Sequence, residues 1–174
     1  CGLADSLAYE TRYDEAVGCF ERAIALSPND PQIWAFLTYG ALALIFKGDF
    51  ARAVEWTERA SGIPNCQYWT AAHKAAALAL LGRADEARRA TTELMQKMPE
   101  FTCAFARDKL FYVKEPRQVE LYLDGLRQAG VPAISSVLIW SSGPGGGRAR
   151  RRPPGPAPDE PGPEEQGERR DIGD

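Results

Sequence analysis

Histidine is the side chain best suited to moving protons near neutral pH, and this chain of 174 residues holds one, His73. It stands in Ala71-Ala72-His73-Lys74-Ala75. A catalytic imidazole needs a nucleophile or a carboxylate within hydrogen-bond reach, and its sequence neighbours supply neither. His73 therefore reads as a structural or groove-lining residue. Four cysteines follow, Cys1, Cys19, Cys66 and Cys103, with no CxxC pair among them. Zinc and dithiol chemistry need close pairs, so these read as small buried side chains and free thiols of a reducing compartment. Arg148, Arg150, Arg151 and Arg152 could meet phosphate on a nucleic acid or an anionic lipid. The run is short, and Asp159, Glu160, Glu164, Glu165 and Glu168 offset it, so it reads as a solvated tract. The glycines from Gly143 to Gly147 lack the Lys-Ser/Thr and the helix that a phosphate loop requires. No catalytic, metal or cofactor site is expected, and the chain does not read as an enzyme.

The elements that would position these residues are helical. Before Pro132 the chain is rich in Ala, Leu and aromatics; after it Pro, Gly, Arg and Glu dominate. The expected division is a folded region over 1–132 and a disordered tail over 133–174, with a short apolar run from Ala133 to Trp140. The abrupt switch also raises the expectation that the tail is a frameshift or a mis-assigned stop. Net charge is −3, too small to draw the chain to nucleic acid or to a membrane surface. No apolar run approaches the ~20 residues of a membrane span, and no signal peptide opens the chain, so a cytoplasmic protein is expected. A start at Cys1 without Met suggests a piece of a longer polypeptide.

Three segments repeat. Tyr13-Asp14-Glu15-Ala16, Phe50-Ala51-Arg52-Ala53 and Ala84-Asp85-Glu86-Ala87 each open a helix after a short turn. The turns are Glu10-Thr11-Arg12, Lys47-Gly48-Asp49 and Gly82-Arg83. Ala16, Ala53 and Ala87 are separated by 37 and 34 residues. The second spacing matches the roughly 34-residue period of tetratricopeptide (TPR) repeats, and the first suggests an extra helical turn between Pro31 and Phe46. Helices that cross closely need a residue without bulk at the contact, which is the task of the three alanines. Phe20, Ala23 and Ile24 share a face with Ala16. Trp56, Thr57 and Ala60 do so with Ala53, and Ala90, Thr91 and Leu94 with Ala87. The preceding helices carry Leu3-Ala4 with Leu7, Gly40-Ala41 with Leu44, and Ala75 with Leu78. Asp30 suits an N-cap and Pro31 a first helical turn. Trp34, Trp56 and Trp69 read as packing between repeats rather than as a ligand pocket.

Residues 1–100 resemble the TPR family over about three repeats, best in the first (Ala16, Phe20, Ala23, Pro28). In the second and third, Thr57 and Thr91 replace the family's aromatic. The expected fold is an all-α, TPR-type helical-hairpin solenoid. A helix from Thr102 to Phe111 follows the repeats. An amphipathic helix opened by Pro116, with Val119, Tyr122, Leu123 and Leu126 on one side, then caps the solenoid and ends at Gly130. Asn65-Cys66-Gln67-Tyr68-Trp69, Leu78-Ala79-Leu80-Leu81-Gly82-Arg83 and Leu121-Tyr122-Leu123-Asp124-Gly125-Leu126-Arg127-Gln128-Ala129-Gly130-Val131-Pro132 narrow this. They resemble the C-terminal TPR region of bacterial multidomain adenylate/guanylate cyclases. Related TPR regions occur on bacterial winged-helix regulators.

The resemblance implies a non-catalytic protein-interaction scaffold within a larger bacterial signalling protein, with the winged-helix regulator as the alternative. TPR grooves are lined by the first helix of each pair. Here that gives Asp5, Ala8 and Tyr9, then Thr38, Leu42, Ile45 and Phe46, then Trp69, Ala72, His73 and Ala76. The Lys, Arg and Asn of TPR carboxylate clamps are missing at these positions. The expected partner is therefore an amphipathic helix or extended apolar segment of a protein, or an upstream domain of the same polypeptide. Alternatively, a further domain or repeat covers this face.

Overall fold

The computed structural model describes residues 2–134. The expected disordered tail and its possible frameshift origin fall on residues outside that range, apart from Ala133 and Ile134. Eight helices follow one another: α1 (Gly2–Tyr9), α2 (Tyr13–Leu26), α3 (Ile33–Lys47), α4 (Phe50–Ser61), α5 (Tyr68–Leu80), α6 (Ala84–Lys97), α7 (Cys103–Lys109) and α8 (Pro116–Gln128). They form three hairpins, α1/α2, α3/α4 and α5/α6, stacked through α2 on α3 and α4 on α5.

The hairpin turns are built alike. Thr11, Gly48 and Gly82 all adopt positive φ, at 68°, 89° and 77°. At each, two N–H groups reach back to close the helix: Gly48 N–H to the Ile45 carbonyl and Asp49 N–H to the Leu44 carbonyl, both 2.9 Å. The same pair recurs at Gly82 and Arg83, and at Thr11 and Arg12. This left-handed closure satisfies carbonyls that a helix end leaves unpaired. Asp49 then caps α4, its carboxylate accepting from the Arg52 N–H. At the other turns Arg12 pairs with Glu15 and Arg83 with Glu86 across the first helical turn, both at 2.6 Å.

Ala16, Ala53 and Ala87 are fully buried, as their spacing predicts. The tightest crossing lies between α3 and α4, where the Trp56 ring rests on Gly40 and leaves no room for a Cβ. The long first period has a different origin from the extra turn expected in α3 alone. Helices α2 and α3 have 14 and 15 residues against 12 and 13 in α4 and α5. The α3–α4 turn is in exchange one residue shorter than the α5–α6 turn. Helix α3 also begins later than Pro31, at Ile33, because residues 30–32 form a turn in which the Asp30 carboxylate accepts the Gln32 N–H at 2.7 Å.

Helices α7 and α8 depart from the hairpin rule. Helix α7 is shorter than the expected Thr102–Phe111: Thr102 caps it, accepting the Phe105 N–H at 3.0 Å. Phe111 lies in the turn beyond it and is exposed. Helix α8 packs mainly on α5, and also on α7 and α3. Gly130, again at positive φ, ends it. The chain then returns to α7, where the Cys103 and Ala104 N–H groups donate to the Pro132 and Ala133 carbonyls at 2.8 and 3.0 Å.

Candidate protein-interaction face

The first helices of the three hairpins, α1, α3 and α5, carry the residues expected to line a groove. Helix α3, Ile-Trp-Ala-Phe-Leu-Thr-Tyr-Gly-Ala-Leu-Ala-Leu-Ile-Phe-Lys, is apolar nearly all round, and ten of its residues are buried. A helix with no polar stripe must be covered on every side. Helices α2, α4 and α5 cover three directions, and α8 lies against it as well.

The expected groove is therefore not an open trough. Thr38, Leu42, Ile45, Phe46, Ala72, His73 and Ala76 are all buried, as is Ala8. Phe46 belongs to the α2–α3 contact, its ring 5.9 Å from that of Tyr13. Thr38 joins α3 to α5: its hydroxyl donates to the Trp34 carbonyl at 2.7 Å and lies 2.6 Å from the Thr70 hydroxyl. The Cys66 thiol donates to Thr70 at 2.8 Å, which gives that cysteine a structural place. Ala76 meets α8 directly. A Cβ on Gly125 would come within 2.8 Å of the Ala76 carbonyl oxygen, so the two backbones touch here.

His73 is sealed in the same contact. Its Nδ1 lies 2.8 Å from the Tyr122 hydroxyl of α8, and both side chains are buried. Burial penalises the imidazolium and drops the His73 pKa to about 3. Burial likewise holds Tyr122 far above the usual phenol range. The imidazole is neutral, pinned and out of a substrate's reach. Its sequence neighbours do not contain Tyr122, which lies 49 positions away. The amphipathic pattern of α8, with Tyr122 and Gly125 on its buried side, reports a covered face without naming α5 as its cover.

What stays partly open is a rim. Tyr9, Tyr39, Tyr68, Trp69, Phe105 and Tyr112 are half-buried and pack on the core. Tyr9 and Tyr112 meet at 4.3 Å between centroids with their rings tilted by 47°, and Lys114 holds Glu10 at 3.0 Å, so the α7–α8 turn is tied to the end of α1. Trp69 stacks on Phe105 at 6.2 Å and meets Phe101 edge-on at 5.4 Å. The three tryptophans do not gather into one pocket: Trp56 packs on Gly40 beneath Arg52, and Trp69 joins Phe101 and Phe105. Among the described residues no group of three or more His, Cys, Asp or Glu is placed to hold a metal. No described helix is long and apolar enough to cross a membrane.

The family model for the tetratricopeptide repeat matches residues 1–30, the first hairpin and its exit loop. The fold is a TPR-type solenoid. Repeats of this family mediate protein–protein contacts, so a scaffold role follows at that level. No curated protein and no solved structure matches the chain significantly. The confinement of the match to the first hairpin agrees with the residues: Thr57 and Thr91 stand where the later repeats would carry the family's aromatic. Thr57 turns its hydroxyl back to the Val54 carbonyl at 2.8 Å, and Thr91 donates to the Ala129 carbonyl at 3.0 Å.

Proposed function

We propose that this TPR solenoid is a protein-interaction scaffold without chemistry of its own. In this reading it is the C-terminal regulatory part of a larger bacterial signalling protein such as an adenylate cyclase. The observation that carries the scaffold reading is the stack of three TPR hairpins whose inner side keeps a rim of half-buried aromatics. The resemblance of the Asn65–Trp69, Leu78–Arg83 and Leu121–Pro132 stretches supports the signalling context. Asp5, Tyr9 and Trp69 are the members of the expected groove that keep partial exposure with α8 in place. Partner contact therefore centres on the rim, and the buried members of the set support it from beneath.

The gene tests the context. An in-frame cyclase domain encoded upstream of Cys1 is expected, and cutting away residues 2–134 from that longer protein should change its cyclase turnover. A Cys1 codon that follows directly on an initiator Met would remove the multidomain reading. Groove variants such as Leu42→Glu or Ile45→Glu are unsuited to testing partner binding. Each would bury a carboxylate at a site with almost no exposure and unfold the scaffold first.

A further inference from the structure

Glu10 and Lys114 lie 104 positions apart, yet their ion pair, at 3.0 Å, joins the α1–α2 turn to the α7–α8 turn. One residue earlier, at the end of α1, Tyr9 meets Tyr112, their ring centres 4.3 Å apart. This joint is built differently from the seam beneath α8. There, backbone meets backbone at Gly125 and Ala76, and His73 and Tyr122 are sealed between the helices. Between the two turns, contact runs through side-chain tips. Glu10 and Lys114 are both exposed, and Tyr9 and Tyr112 are half-buried. A cleft of about 410 Å³, lined by Glu10, Thr11, Lys114 and Glu115, opens beside the pair, so solvent reaches it. Leu110 and Val113 root the α7–α8 turn in the core, while Phe111 stands out from it, 83% exposed. The turn thus has fixed feet, and Tyr112 and Lys114 fasten its tip to the end of α1.

We propose that the Glu10–Lys114 pair is a latch. While it is shut, Tyr112 engages the ring of Tyr9; when salt or a partner's charge parts it, both tyrosines are freed for the partner of the aromatic rim. An exposed ion pair adds little to a fold and is weakened by salt. A tilted pair of half-buried rings adds a comparably small amount. Two small contributions side by side hold a contact that opens without unfolding its surroundings, in contrast to the buried α5–α8 seam. Tyr9 belongs to the inner-face set, and the protein's own α7–α8 turn occupies it. That turn is therefore an internal competitor at the α1 end of the face. A partner binds there with an affinity reduced by the fraction of molecules in which the latch is open.

The latch rests on the scaffold reading, since it governs access to the rim. It is tested on the whole 174-residue chain by NMR cross-relaxation between the Tyr9 and Tyr112 rings. The His73–Tyr122 cross-peak serves as the reference for a seated α8. Between about 0.01 M and about 1 M salt, the screening length shrinks from about 30 Å to about 3 Å. The Tyr9–Tyr112 signal should fall about twofold or more over that range while the reference holds. Glu10→Lys and Lys114→Glu should each bring the low-salt signal down to the high-salt level. The two changes together should raise it above either one alone. Arg12 and Glu115 follow closely in sequence, so recovery is read against the single variants rather than the wild type. A Tyr9–Tyr112 signal that ignores salt and both single changes overturns the latch, as does a double variant no better than its singles. Loss of both cross-peaks together also overturns it, because the joint would then open only with the α5–α8 seam. Each of these outcomes leaves the scaffold reading standing, which has its own test upstream of Cys1.

Discussion

Thr11, Gly48 and Gly82 hold equivalent left-handed positions, yet only Thr11 carries a Cβ there, and a β-branched one. Left-handed φ costs an L-residue ~1–2 kcal/mol, whereas glycine's extra freedom in the unfolded chain costs at most ~1 kcal/mol. The strain term is the larger, so Thr11→Gly should stabilise the protein by ~0.5–1 kcal/mol. Thermal denaturation followed by circular dichroism should show a rise of a few degrees; a fall would mean that the turn does not hold this conformation. His73 sets a second expectation. Its folded pKa, about 3, lies below the ordinary value of 6.5, so below that value the unfolded chain binds the proton that the folded chain refuses. Stability from this residue is complete above pH 6.5 and is lost as pH falls toward 3, by about 2–3 kcal/mol at pH 4.5. His73→Gln cannot titrate and should lose less stability than the wild type between pH 6.5 and 4.5. Parallel losses would place His73 in solvent.

At the scale of the element, two glycines give opposite predictions. Gly18 lies inside α2 with open space around the position of a Cβ, so Gly18→Ala should gain the helix-propensity difference, ~0.5–1 kcal/mol. Gly125 lies inside α8, where a Cβ would meet the Ala76 carbonyl oxygen at 2.8 Å and the Ala76 Cα at 3.1 Å. Backbone cannot step aside as a side-chain tip can, so overpacking of ~1–3 kcal/mol outweighs the propensity gain. Urea titration of Gly125→Ala should show a net loss, and a gain would place α8 elsewhere. The helices were legible in the sequence because each reports its own period. Ala16, Ala53 and Ala87 mark the second helix of every hairpin, Gly48 and Gly82 end the helices before two of them, and Gly130 ends α8. Where α8 docks was not legible, because an amphipathic stripe reports that a face is buried and not what buries it. The burial of His73 against Tyr122 and of Ala76 against Gly125 belongs to that docking. Of the rim, Tyr9 and Trp69 were in view from repeat alignment. Tyr112 was not, since its contact with Tyr9 accompanies the Glu10–Lys114 tie between positions 104 apart.

For the whole molecule, the consequence is that the solenoid fills its own inner side. A TPR array with an open trough would offer its first helices to a partner. Here α8 lies on α5 and reaches α3, which leaves the aromatic rim as the face on which the proposed partner contact falls. The single histidine makes this directly measurable, because its proton signals need no disentangling from others. The decisive measurement is a pH titration of the His73 imidazole by NMR, with cross-relaxation recorded to the aromatic protons. With α8 seated, His73 stays neutral through pH 4.5 and shows cross-relaxation to the Tyr122 ring, whose centre lies 5.4 Å from its own. A His73 that titrates near its ordinary value of about 6.5, without contact to Tyr122, would mean that the inner face is open and the account is wrong.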